Sequence, residues 1–369
     1  MAELMPGNRK GPVFDGERLS MAWKVIDTEI ERGEIPGASV VASLSGKRVS
    51  YTAGVMQGKD SSRQHVDSDT IYDCASLTKV VVTLPLILML IDEGLLHLGQ
   101  PVAEILPAFA DAGKEQVTIR QLLTHSSGLQ AYASPASLGG DSEQTIASIC
   151  RLQPAYEPGS RVVYSCLGYI TLGKVIESVL GVSLHEAAAQ RIFQPLGMAS
   201  SGYVPAADRF PRIATTELDP AAGEYRHGVV HDELAAAMGG ISGNAGLFAA
   251  AADIAAYGEM WVRGGNVNGR QLLSLAAVEA AARSHTAHLS DANRGLGWVL
   301  RGDAADACGD WLSGSAYGHT GFTGTSLCID PERELVVALL TNRVHYGRDK
   351  SVSRLRIRLH NALAAAIAE

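Results

Sequence analysis

Ser76-Leu77-Thr78-Lys79 stands immediately before an apolar run, Val80 to Ile91. At the first turn of a helix, residues three apart share a face, so a serine hydroxyl and a lysine amine in this arrangement lie within reach of each other. That pairs a nucleophile with a proton partner. The helix N-terminus adds its positive end and free backbone N–H groups, which stabilise an oxyanion forming beside the serine. For Lys79 to take up a proton near neutral pH its ammonium form must be disfavoured, and burial against the apolar run or a neighbouring cation would do this. Read alone, Ser76 is equally well explained as a helix cap.

Other familiar arrangements fail at a defining residue. His185-Glu186 begins like a zinc-protease helix, but Ala189 stands where the second histidine is needed. Gly264 to Gly269 has the glycine spacing of a phosphate loop, yet Arg270-Gln271 replaces its lysine and hydroxyl residue. No Gly-x-Ser-x-Gly elbow is present. Neither a metal nor a cofactor is expected. The net charge of −8, without any block of Lys or Arg, offers no footprint for nucleic acid. The 12 residues of Val80 to Ile91 include Thr83 and Pro85 and fall short of the about 20 that span a membrane, so this run is expected to be a buried helix. Met1 to Gly16 lacks the apolar stretch of a secretory signal, which leads to the expectation of a cytoplasmic protein. The five cysteines, Cys74, Cys150, Cys166, Cys308 and Cys328, are scattered and odd in number, and are expected to be separate reduced thiols.

The elements that must position Ser76 follow from periodicity. At 369 residues the chain is long enough for one large domain with insertions or for two packed domains. Leu19, Trp23, Ile26 and Ile30 predict an opening helix between Asp15 and Gly33. Ala38 to Leu44 and Arg48 to Ala53 predict a hairpin turning at Ser45-Gly46-Lys47. Thr323 to Ile329 and Leu335 to Thr341 predict a second hairpin around Asp330-Pro331-Glu332-Arg333, followed by a helix over Val352 to Ala368. Between these ends the patterns are mostly helical, over Thr118 to Leu123, Ile170 to Leu180, Leu184 to Phe193, Ala251 to Val262 and Ala276 to Ala282. The expected fold is α/β (α+β): one antiparallel sheet built from both chain ends and flanked by terminal helices, with a large helical insertion. This divides the chain into a discontinuous sheet domain, residues 15–75 and 295–369, and a helical domain, 76–294, with the active site in the cleft between them.

Two further segments give the Ser-x-x-Lys tetrapeptide its weight. Tyr164-Ser165-Cys166 follows Tyr156-Glu157-Pro158-Gly159, and His319-Thr320-Gly321 is followed by Phe322 near the last strands. In this order the three elements resemble the serine β-lactamase-related superfamily, in the branch shared by class C β-lactamases, low-molecular-weight D-amino-acid peptidases and family VIII carboxylesterases. Supporting likeness lies in Leu122 to Leu129, with its Thr124-His125-Ser126-Ser127-Gly128 core, and in Thr341-Asn342-Arg343. The resemblance spans about Ile35 to Arg343 and implies a β-lactamase/transpeptidase-like fold.

The resemblance makes Ser76 the acylated nucleophile, Lys79 its proton partner and Tyr164 the second general base. His319, Thr320 and Gly321 would edge the cleft on an inner strand, with the Phe322 and Ser76 backbone N–H groups forming the oxyanion hole. Cys166 departs from the pattern, because relatives carry an asparagine there whose amide bonds both the lysine and an acylamino carbonyl. That substitution favours small carboxylic esters over β-lactams and over D-amino-acid peptides or amides. A neutral His319 with an ordinary pKa of about 6.5 would also leave carboxylate-bearing substrates weakly held, improving as pH falls from about 8 to 6. The alternative of another class is a penicillin-binding sensor acylated without turnover, or a scaffold keeping a relic site.

Overall fold

The computed structural model describes residues 12–57, 64–289 and 292–368. The leader expectation falls on Met1 to Gly16, of which residues 1–11 lie outside the described residues. The chain opens with helix α1 (Gly16–Glu31), capped by the Asp15 carboxylate, which accepts from the Arg18 N–H at 2.8 Å. Strands β1 (Gly37–Leu44) and β2 (Lys47–Gly54) follow as a hairpin whose two-residue turn places Ser45 and Gly46 at φ 50° and 81°. Near the other end come β3 (Val299–Leu300), β4 (Tyr317–Thr320), β5 (Ser326–Asp330) and β6 (Leu335–Thr341). All six join one antiparallel sheet in the order β3-β4-β5-β6-β1-β2, so the two chain ends do share a sheet.

Both faces of that sheet are buried, which explains why β6 reads as an unbroken apolar run, Leu-Val-Val-Ala-Leu-Leu, rather than an alternating one. Val40, Ala42, Val337 and Leu339 pack with α1 and the C-terminal helix (Ser353–Ala365) on one face. Val41, Val336, Ala338 and Leu340 face the other way, into the larger core beneath the helical part. Helix Ala251–Val262 lies on that second face, and a Cβ on its Gly258 would collide with Val336.

Three details differ from expectation. Strand β5 begins at Ser326 rather than Thr323, because Gly321 to Thr325 close a turn in which the Gly321 N–H donates to Thr325 O at 2.8 Å and Gly324 sits at φ 124°. The last helix stops at Ala365, and Ile367–Ala368 pairs with Val13–Phe14, tying the described chain ends together. The cysteines are not all separate thiols: Cys308 and Cys328 are joined in a disulfide, with Cα atoms 5.8 Å apart. Gly318 on β4 pairs with Cys328 on β5, and its missing side chain leaves the room that Cys308 Sγ occupies. Such proximity arises only from strand pairing, so spacing along the chain gave no sign of it.

The apolar run after Ser76 does form a buried helix, but with a π-type first part, Lys79–Thr83, leading into Leu84–Asp92. Pro85 has no N–H to give to the preceding turn. The Leu84 N–H instead reaches five residues back to Lys79 O, and the Tyr257 hydroxyl donates to Val80 O. Among the described residues no single helix is long and apolar enough to cross a membrane.

Candidate active site

Strand Ile71–Asp73 leads to the serine and pairs with Phe248–Ala250, continued by the Cys74 N–H donating to Leu247 O at 2.8 Å. Ala75 then takes a left-handed conformation, φ 46°, which a residue with a Cβ rarely adopts. This sharp turn leaves Ser76 partly exposed at the mouth of the helix while Ala75 and Leu77 are buried. Lys79, one turn on, is wholly buried, and its Nζ donates to Ser76 Oγ at 2.9 Å and to Asn244 O at 3.0 Å.

Lys79 departs from one expectation. Burial acts to lower its pKa, as the sequence suggested, but Cys166, Tyr164 and Asp232 together outweigh burial and hold it above the usual lysine value. That direction favours the ammonium form, in which Lys79 donates to the serine oxygen.

Tyr164 lies just before helix Cys166–Leu180, with its ring centroid 5.0 Å from Lys79 Nζ. His125 holds it in place. The Val163 N–H donates to His125 O at 2.8 Å, the Ser165 N–H donates to His125 Nδ1 at 3.0 Å, and the His125 and Tyr164 rings lie 4.5 Å apart. Because Nδ1 accepts, the proton sits on Nε2. Burial, then the charges of Arg294 and Lys79, keep this imidazole neutral by pressing its pKa well below the ordinary value.

The facing wall is β4 and the turn after it. His319 is buried, with Nδ1 2.9 Å from Thr320 O, and its ring lies 6.0 Å from that of Tyr164. Burial, followed by the charges of Lys79 and Arg294, pushes its pKa down to about 3. This differs from the expectation of a histidine that titrates between pH 8 and 6: among the described residues no carboxylate is paired with His319, and the charges of Lys79, Arg294 and Arg356 all act to lower its pKa. Phe322 is 47% exposed, stacked on His231 and covered by the Arg343 guanidinium at 4.7 Å. Among the described residues neither the Ser76 nor the Phe322 backbone N–H donates to another backbone or side-chain acceptor, so both are free for a ligand oxygen.

Ser76, Tyr164, Cys166, His319, Thr320, Gly321 and Phe322 all line one cleft of about 670 Å³, and Lys79 lies directly behind Ser76. The Cys166 sulfur is 3.7 Å from Lys79 Nζ, a long contact for a weak acceptor. Sequence reasoning missed the cationic wall. Arg348 is paired with Glu217 and Glu233, and Arg294 with Asp303. Arg343 and Arg356, by contrast, donate only to main-chain carbonyls among the described residues. Burial and then the Arg343 charge lower the Arg356 pKa to about 9, and burial lowers that of Arg343. Asp73, His125 and Asn244 were missed as well. Of these only His125 had a sequence signal, its place in Thr124 to Gly128. Among the described residues no group of three or more His, Cys, Asp or Glu side chains is placed to hold a metal ion.

A buried six-stranded antiparallel sheet with a serine–lysine pair at the mouth of an adjoining helix defines a class of hydrolase. The chain belongs to the Beta-lactamase family, which it matches over residues 24–362, and is a serine β-lactamase-fold hydrolase. It is 36% identical over 370 residues to an Escherichia coli (strain K12) protein described as "Putative D-alanyl-D-alanine carboxypeptidase", covering 90% of this chain and 84% of that one. A penicillin-binding protein homologue from Caulobacter crescentus superposes with a TM-score of 0.79 at 24% identity, covering 97% of this chain and all of the other. A structure described as a family VIII carboxylesterase superposes with a TM-score of 0.76 at 22% identity, over 96% and 99% of the two chains. The fold is thus shared by a penicillin-binding protein homologue and a carboxylesterase.

Proposed function

We propose that the protein is a serine acyl hydrolase that acts through an ester on Ser76 and prefers substrates with a carboxylate beside the scissile bond, as in peptides ending in D-alanine. The observation that carries the substrate class is the pair of cleft guanidiniums, Arg343 and Arg356, for which no carboxylate lies within ion-pair distance among the described residues. A buried cation without a counter-ion is unfavourable, and a bound anion relieves it. The name of the relative from Escherichia coli points the same way.

In this reading Ser76 Oγ attacks the carbonyl carbon while the oxyanion is held by the N–H groups of Ser76 and Phe322. The serine proton passes to the Tyr164 oxygen as the phenol proton passes to the leaving nitrogen, so Tyr164 ends as it began. The Lys79 ammonium orients Ser76 Oγ and stabilises negative charge developing along that relay. The same steps with water in place of the serine, run in reverse order, release the acid and restore Ser76.

Cys166 supports a second reading, a carboxylesterase on small esters, because no amide stands there to hold an acylamino group. The two are separated by measuring D-alanine release from a D-alanyl-D-alanine peptide beside hydrolysis of a short-chain nitrophenyl ester. The proposed function predicts that Arg343→Ala raises KM for the peptide at least about 10-fold, the loss of a charged hydrogen bond, with ester KM little changed. Ester turnover without any peptide turnover in the wild type favours the second reading.

A further inference from the structure

The serine turn is held by a group outside the cleft. Asp73 is 2% exposed and does not line the cleft, yet two separate walls of the site converge on its carboxylate. Oδ1 accepts from the Ala75 N–H at 2.8 Å, and Oδ2 accepts from the His231 N–H at 2.6 Å. Its main-chain carbonyl takes a third anchor, the Thr323 hydroxyl at 2.7 Å, while the Thr325 hydroxyl donates to Cys74 O at 3.0 Å.

Among the described residues Asp73 has no Lys or Arg partner, a costly state for a buried carboxyl group, and its two backbone donors offset that cost. Those donors belong to segments that must not drift. Ala75 is in a left-handed conformation immediately before Ser76, where strain persists only if the surroundings enforce it. His231 precedes Asp232 and Glu233 in the cleft wall and stacks on Phe322, with ring centroids 5.6 Å apart. Thr323 follows Phe322, so the clasp on Asp73 O fixes the turn that carries the second N–H facing the serine.

We infer that Asp73 is a positioning residue for the acyl-transfer site: its carboxylate and carbonyl set the relative placement of the Ser76 turn, the His231 segment and the Phe322 turn. This rests on the reading of Ser76 as the nucleophile. Asp73 touches no substrate and exchanges no proton. Its contribution is to the geometry in which Ser76 Oγ and the two oxyanion donors meet a carbonyl, where misplacement by about 1 Å lowers rate about 10²-fold.

Asp73→Asn keeps the volume, but its single oxygen accepts from one of the two N–H groups and its NH₂ confronts the other. The test counts active sites by complete labelling with a fluorophosphonate and expresses turnover per labelled serine, which removes any unfolded fraction. Asp73→Asn is expected to lower kcat and the labelling rate about 10²-fold while KM changes less than about 3-fold. A merely structural aspartate would leave turnover per labelled site at the wild-type value, and that result overturns the inference. Should Asp73→Asn not fold, Thr323→Val removes the hydroxyl clasp without touching the carboxylate and is expected to lower kcat per site about 10-fold. Wild-type kcat in Thr323→Val would equally overturn it. If the wild-type protein takes no label on Ser76, the nucleophile reading itself fails and this inference fails with it.

Discussion

His125 grips the chain on either side of Tyr164: its carbonyl accepts the Val163 N–H at 2.8 Å and its Nδ1 accepts the Ser165 N–H at 3.0 Å. The backbone on both sides of the tyrosine is thus fixed by one residue. His125→Ala is expected to lose about 1–3 kcal/mol of stability through the unpaired Ser165 N–H. Alanine must also hold φ 58°, which asparagine tolerates better. His125→Asn should therefore be the more stable of the two by urea denaturation.

Lys79→Ala and Tyr164→Phe are each expected to lower kcat by about 10²–10⁴. Both act on one proton path, so the double variant should lose far less than the product of the two. Steady-state kinetics of the four proteins measure this. Additive losses would place the two side chains on independent steps.

Neutral His319 gives a pH signature. Because its pKa is pushed down to about 3, it carries no charge from pH 8 to 6, and KM for a carboxylate-bearing substrate should show no His319-dependent change there. The sign for stability follows from the same depression. The unfolded histidine protonates near 6.5 while the folded one does not, so the stabilisation is complete above that value and is lost as pH falls toward the folded pKa. His360, lowered to about 4 by burial, adds to the same trend. Melting temperature should fall as pH drops from about 6.5 to 4, and less steeply in His319→Gln.

Cys166→Asn is expected to shift the ratio of kcat/KM from esters toward acylated amides and β-lactams. The new amide can accept from Lys79, 3.7 Å from the present sulfur, and donate to an acylamino carbonyl. The gain is bounded by the about 1–3 kcal/mol of satisfying a buried polar group. An unchanged ratio would mean that position 166 does not face the acyl part of the substrate.

How far the site is legible in the sequence depends on the range of the contacts involved. The two hairpins and the helix after Ser76 are legible because alternation and apolar runs are local, and strand Leu335–Thr341 begins and ends where its pattern does. Ser76 and Lys79 are legible because one helical turn joins them. Asp73 is not, since its partners include His231, 158 positions away, and nothing local marks a carboxylate at a strand end as buried. The charge states of Lys79 and His319 also depend on neighbours from distant segments: Cys166 and Tyr164 raise the pKa of the first, while burial and then the charges of Lys79 and Arg294 lower that of the second. Cys308 and Cys328 meet only because β4 and β5 pair.

The central claim is that Ser76, held at 2.9 Å by Lys79, is the group that becomes acylated. Intact-protein mass spectrometry after brief exposure to a fluorophosphonate, followed by peptide mapping, tests it most directly. A single adduct on Ser76, absent from Ser76→Ala, is the predicted result. An adduct on Ser126, Ser127 or any other residue, or one that survives in Ser76→Ala, would contradict it.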